Sequence, residues 1–161
     1  MITVGIDPGT ARLGYGVIAS DGPRPVDFGV VETPPSSAMP DRLAVLFDRL
    51  TRLLADHRPD AVAVEQLFFA RNTTTAMAVG QARGVVLLAA ARAGVPVAEY
   101  TPSEVKQAVV GYGKADKGQM QEMVRLLLGL EFAPQPGDAA DALAIALCHA
   151  QTAAFRDRVG A

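Results

Sequence analysis

A single cysteine, Cys148, leaves the chain without an internal disulfide. Its neighbours Ala144, Ile145 and Leu147 mark it as a small packing residue. Histidine occurs only as His57 and His149, and neither falls into the HxH or HExxH spacing of a zinc site, so both read as structural. Long apolar runs are missing as well. The longest, Val85–Ala91, is far short of the ~18 residues that a membrane span needs. The N-terminus shows no basic stretch leading into an apolar segment and a small-residue cleavage site, so no secretory signal is evident. A cytoplasmic protein with no membrane partner is expected.

An excess of positive charge is also lacking. Fifteen Lys and Arg against 17 Asp and Glu give a net charge of −2, which on its face argues against nucleic acid. If four acids are metal ligands, the rest of the chain carries −2 + 4 = +2. The signs are unevenly spread too: no acid lies between Glu65 and Glu99, whereas Arg71, Arg83 and Arg92 do. What the chain does have is apolar material, at 50% of residues and a mean hydropathy of +0.21. That is ample for a buried core and too apolar for disorder. A length of 161 residues suggests one domain, here 1–155, with 156–161 as a C-terminal tail.

Periodicity divides the chain into an early β part and a later alternating part. Ile2–Asp7 reads as a strand ended by Pro8-Gly9. Gly14–Ser20 and Val26–Thr33 read as two more, with Asp21-Gly22 as a hairpin turn. Leu43, Leu46, Phe47, Leu50, Leu53 and Leu54 then follow the spacing of one helix face, stopped by Arg58-Pro59. Ala61–Glu65 is a buried-looking strand, Thr75–Ala93 a small-residue helix closed by Gly94, and Val95–Tyr100 a short strand. Thr101-Pro102-Ser103-Glu104 has the spacing of a capping box, and Asp116 with Gln119 caps a helix to about Leu128. Pro134–Gly137 breaks the chain before a last helix from about Asp138 to Phe155. This order predicts a layered α/β domain with a mixed sheet.

Acids inside apolar strands are the informative exceptions, because an unpaired buried carboxylate is costly. Asp7 shares its side of the pleat with Thr3 and Gly5, while Ile2, Val4 and Ile6 face the other way. Glu65 repeats the pattern, with Ala61 and Ala63 on its side and Val62 and Val64 opposed. Asp138 and Asp141 stand three apart, neighbours on one helix face, among alanines that would let that helix approach a sheet closely. Taken singly, Asp7 could bond turn amides, Glu65 could pair with an arginine and Asp138 could cap its helix. Taken together, four carboxylates would repel and stay partly protonated unless cations neutralise them. Oxygen-only ligands suit Mg²⁺ or Mn²⁺. Two such ions ~4 Å apart can activate water against a phosphodiester.

Several ordered stretches match one family. Gly5-Ile6-Asp7-Pro8-Gly9-Thr10, with Gly14-Tyr15-Gly16-Val17, resembles the opening motif of the RuvC Holliday junction resolvases. Glu65-Gln66-Leu67-Phe68 is similar to the family's second acidic motif. Gly80–Gly84, Val105–Gly111 and Asp138–Ala146 resemble further signatures in the same order. The resemblance implies an RNase H-like α/β fold, a mixed five-stranded sheet flanked by helices. It also implies a homodimer that nicks a four-way junction symmetrically, with a branch-migration motor, RuvA–RuvB, as partner in a bacterial cytoplasm. Asp7, Glu65, Asp138 and Asp141 carry over as the catalytic, metal-binding set. Phe68 aligns with an aromatic that stacks on bases near the junction centre, although Phe69 could be the exposed ring instead. Lys106 and Lys117 match backbone-contacting lysines, and Arg71 with Asn72 follows the acidic motif toward phosphate. The Met77, Gly80, Ala82, Gly84 and Leu88 helix suits the family's dimer interface, though an internal helix contact would look the same. Ala11-Arg12-Leu13 and Gly118 depart from the usual pattern.

Three other readings draw on the same residues. Asp-x-Gly-Thr followed by glycines also opens the phosphate loop of actin-like and sugar-kinase ATPases, but those enclose nucleotide between two domains. An RNase H-like nuclease acting on RNA would share the acids without the Phe68 motif. A module that grips junctions without cutting would have no use for four acids, which repel phosphate unless metal is bound.

Overall fold

The computed structural model describes residues 1–66 and 73–160. Strands β1 (Ile2–Asp7), β2 (Arg12–Ala19) and β3 (Arg24–Glu32) come first. Helix α1 (Met39–His57), strand β4 (Ala61–Glu65), helix α2 (Thr73–Ala93) and strand β5 (Val97–Tyr100) follow. Helices α3 (Pro102–Val110), α4 (Lys117–Leu127) and α5 (Gly137–Val159) complete the order. The strands form one sheet in the order β3-β2-β1-β4-β5. The β1–β2 and β2–β3 pairs are antiparallel, and β1–β4 and β4–β5 are parallel. This is the mixed five-stranded, RNase H-like arrangement that the family resemblance implied.

Local signals explain most boundaries. Asp21-Gly22 does close the β2–β3 connection, with Gly22 at φ 71 where a side chain would be strained. Both capping boxes form: Thr101 and Glu104 satisfy each other's backbone at α3, and Asp116 and Gln119 do so at α4. Arg58 ends α1 in the left-handed region, where its amide donates to the Leu54 carbonyl. One expectation is corrected. The last helix continues past Phe155 to Val159, so most of the supposed tail is helical. Arg156 and Arg158 in its final turn complement the helix dipole, and Gly160 at φ 69 provides the stop.

The sheet separates two cores. On one side Val4, Ile6, Val62 and Val64 pack with Leu46, Leu50, Leu54, Val86 and Ala90 from α1 and α2. On the other, Ile18 and Ala63 pack with Leu143, Ile145, Leu147, Val105 and Val124. Each fully buried aliphatic side chain contributes roughly 1.5–3 kcal/mol. The second side carries the feature that builds the site. A Cβ on Gly5 would lie 2.0 Å from the Ala142 carbonyl, and one on Gly14 would lie 2.1 Å from the Asp138 carbonyl. Helix α5 therefore rests on bare strand backbone of β1 and β2.

Candidate active site

Parallel pairing aligns β1 and β4 so that Ile6 lies beside Val64. The next residue on each strand is an acid, Asp7 and Glu65, at the same end of the sheet. The close seat of α5 brings its first turns against that end. Asp7, Asp138 and Asp141 each present a carboxylate oxygen, and the three oxygens lie within 4.8 Å of one another. Glu65 stands just outside this trio, but its charge acts on Asp7 and it feels that of Asp141. Asp138 is not the cap of its helix: Pro136 holds that position and Asp138 falls in the first turn. Of the individual explanations for these acids, capping at Asp138 is thus removed.

The electrostatics record the crowding. Burial, then the charges of Asp141, Asp138 and Glu65, push the Asp7 carboxyl up to about 7, with Lys117 opposing. Asp141 is raised mainly by burial and further by Asp138, against the pull of Lys117, whose Nζ lies 3.7 Å from its Oδ2. Glu65 is raised by burial and by Asp141, with Lys106 opposing. Without a cation the cluster is so poor a host for negative charge that Asp7 holds its proton near neutrality. The donors are all hard oxygens converging from three elements, which fits Mg²⁺ or Mn²⁺.

An open pocket of about 420 Å³ holds Asp7, Glu65 and Asp141 in its wall together with Lys106, Lys117 and Asp116. The loop after Asp7 is pinned from the far side of the hairpin. Thr33 donates its amide to the Ala11 carbonyl at 3.1 Å and its hydroxyl to the Thr10 carbonyl. Arg42 of α1 holds that hydroxyl in turn, at 2.9 Å. The structure thus brings Asp7, Glu65, Asp138, Asp141, Lys106 and Lys117 to one place. Phe68, Phe69, Arg71 and Asn72 lie outside the described residues. Arg83, from the acid-free stretch, is ion-paired with Glu99. His57 pairs with Asp27 at 3.2 Å and His149 with Tyr100 at 2.7 Å, both consistent with structural roles. Cys148 is buried, and its thiol donates to the Glu104 carbonyl.

Arg12, marked in the sequence only as part of the departing Ala11-Arg12-Leu13 stretch, is a further participant. It sits 3.6 Å from Asp138 and 3.4 Å from Glu32. The only sequence signal for these contacts is that oppositely charged residues end the two arms of a hairpin, and their pairing depends on register.

Comparison with known proteins places this geometry. The family described as "Crossover junction endodeoxyribonuclease RuvC" matches residues 3–149. A protein of that name from Desulfitobacterium hafniense is 57% identical over 162 residues, covering 99% of this chain and 98% of that one. Another from Thermomicrobium roseum is 60% identical over 152 residues, covering 94% and 93%. Among solved structures, "T. thermophilus RuvC in complex with Holliday junction substrate" superposes with a TM-score of 0.92 at 47% identity, covering 96% of each chain. The yeast mitochondrial Holliday junction resolvase Ydc2 shares the fold, with a TM-score of 0.69 at 12% identity over 97% of this chain and 82% of that one.

Proposed function

The chain belongs to the RuvC family of crossover junction endodeoxyribonucleases, and on that premise we propose that it resolves Holliday junctions by symmetric paired nicks during recombination and DNA repair. The observation that carries this reading is the convergence of Asp7, Asp138 and Asp141, with Glu65 beside them, in a pocket that also holds two lysines. Acids alone would repel a phosphodiester, so such a pocket makes sense for DNA only when cations are shared between protein and phosphate. The solved Thermus relative, 47% identical, is described with a Holliday junction substrate.

Asp7, Glu65, Asp138 and Asp141 are the residues that would hold two Mg²⁺ or Mn²⁺ ions. When bound, such ions supply a nucleophilic water and stabilise the leaving oxygen, giving 5′-phosphate and 3′-hydroxyl ends. Asp7, which lies between the Glu65 strand and the α5 acids, would be the carboxylate best placed to serve both ions. Lys117, which shares Asp141 at 3.7 Å, is free to turn to a backbone phosphate once that carboxylate is otherwise engaged. Lys106, which lines the same pocket and acts on Glu65, would hold a second backbone phosphate. Phe68 would stack on bases near the junction centre, a role that rests on the family motif, and Arg71 with Asn72 would touch backbone phosphate.

Symmetric nicking asks for two centres. Helix α2 exposes Met77 and Leu88, at 68% and 51%, with Gly84 open on the same helix. Apolar residues and open backbone of this kind suit a homodimer interface. A RuvA–RuvB motor is the further partner that family membership suggests. Among the described residues no helix is long and apolar enough to cross a membrane.

The deciding experiment is cleavage of a synthetic four-way junction by wild type and Asp7→Asn in Mg²⁺, Mn²⁺ or EDTA, with linear duplex alongside. Metal-dependent paired nicks that ligase reseals are expected, with the variant binding the junction but cutting at least ~10³-fold more slowly. Equal cutting of duplex would remove junction selectivity, and no cutting in any metal would leave only a binding module.

A further inference from the structure

Arg12 is bound to the acidic centre by an arm that is not committed to it. The β2–β3 register sets Arg12 directly opposite Glu32 at the end of the hairpin. One atom, Arg12 Nε, lies 3.4 Å from Glu32 Oε1 and 3.6 Å from Asp138 Oδ2. Both distances exceed the 2.7–3.2 Å expected for a formed hydrogen bond. Elsewhere in the same protein Arg125 closes on Glu122 at 2.6 and 2.9 Å, so a committed pair looks different. The Arg12 side chain is half exposed, and a guanidinium cannot relieve competition by losing its proton. It can only move. The Asp138 backbone cannot, since it lies against Gly14.

We infer that Arg12 is a displaceable counter-ion of the acidic centre, which holds Asp138 until a divalent cation takes that carboxylate and then withdraws onto Glu32. The inference rests on the reading of Asp138 as a metal ligand. Arg12 is in this role a positioning residue: it keeps Asp138 oriented and partly neutralised beside Asp7 and Asp141, and it competes with the incoming cation. Glu32 acts through Arg12, by offering it somewhere else to go. Lys117 is placed toward Asp141 in a similar way, but among the described residues Asp141 is its one carboxylate partner within ion-pair distance.

The test is calorimetric titration of the DNA-free protein with Mn²⁺ at fixed pH and ionic strength, which needs no catalysis. Arg12→Gln is expected to tighten binding by about two- to fivefold, the range for a half-exposed ion pair, and Glu32→Gln to weaken it by a similar factor. The decisive protein is the double variant, which should bind as Arg12→Gln does, because Glu32 has no route to the centre once Arg12 is gone. If Glu32→Gln weakens binding equally with and without Arg12, the carboxylate acts directly through space and the displaceable arm is overturned. Unchanged affinity in Arg12→Gln would overturn it too. Asp138→Asn serves as the separate control. Wild-type Mn²⁺ binding by that variant would show that Asp138 is no ligand, and so would strike the reading of the centre itself.

Discussion

The two faces of the sheet are built from the same strands by opposite rules. Toward α1 and α2, β1 and β4 present Val4, Ile6, Val62 and Val64, which interlock with helix side chains at ordinary packing distance. Toward α5 they present Thr3, Gly5 and Ala63, so that helix backbone meets strand backbone. The first face stores stability and contributes no acid. The second gives up side-chain volume, and what it gains is position. Asp138 and Asp141 reach Asp7 because nothing larger than hydrogen stands between Gly5 and the Ala142 carbonyl. The geometry of the acidic cluster depends on what the sheet omits.

The sharpest way to break this contrast is to add one carbon on the α5 face and remove one on the other, at neighbouring residues. Gly5→Ala places a methyl where the Ala142 carbonyl already sits, 2.0 Å away, with the Ala146 amide at 2.7 Å. Neither is a flexible side chain, so α5 must lift. Overpacking of this kind costs about 3 kcal/mol, and a displacement near 1 Å at the acids costs ~10²-fold in rate. Urea unfolding and single-turnover junction cleavage should show both losses together. Ile6→Val, one position on and facing α1 and α2, should cost about 1 kcal/mol and leave cleavage of the folded protein unchanged. Equal effects on cleavage would dissolve the distinction between the faces.

The second prediction exposes what the acidic face costs. Asp7 titrates near 7 in the folded protein, well above its ordinary 3.8. Below pH 4 both folded and unfolded chains carry the proton and nothing is lost. Between there and 7 the unfolded chain has released a proton that the folded one keeps, so stability falls as pH rises, then levels off above 7. Asp7→Asn loses that part of the slope, while the raised Glu65 and Asp141 keep theirs. In EDTA the variant should therefore come close to wild type below pH 4 and exceed it by on the order of 4 kcal/mol at pH 8. Saturating Mg²⁺ should raise wild type far more than the variant, narrowing or reversing the gap. Denaturation midpoints across pH, with and without metal, decide it. A wild type that stays the more stable protein at pH 8 without metal would mean the cluster is not strained.

How much of this was legible beforehand follows from the range of each interaction. β1 could be read as Ile2–Asp7 because its apolar residues alternate up to an acid, and both capping boxes are signals only four residues long. The four acids could be singled out because apolar strands and an alanine helix leave charge conspicuous. That Asp138 would lie near Asp7 was suggested by the alanines around it and by the small-residue face that includes Gly5, whereas Gly14 carried no such signal. Arg12 stood out only as part of the departing Ala11-Arg12-Leu13 stretch, and its pairing with Asp138 was not legible, since its two partners are set by hairpin register and by where α5 lands. The end of α5 lies beyond Phe155 because Arg156-Asp157-Arg158 continues the helix as a solvated last turn, which in sequence looks like a charged tail.

The smallest expected effect tests whether the lysines belong to the chemistry or to the DNA. Lys106 and Lys117 share the pocket with the acids, and each lowers the carboxyl beside it, Glu65 and Asp141 respectively. If Lys117 serves a backbone phosphate, Lys117→Ala should weaken junction binding by a modest factor. The slope of log affinity against log salt should then shrink by about 1, with binding measured in Ca²⁺ to suppress cutting. If Lys117 instead only neutralises Asp141, the salt slope stays put, and cation affinity rises as its positive charge leaves. The two outcomes move different observables. A change in slope would extend the α5 face outward from the acids to the strand they act on, and an unchanged slope would confine Lys117 to tuning Asp141.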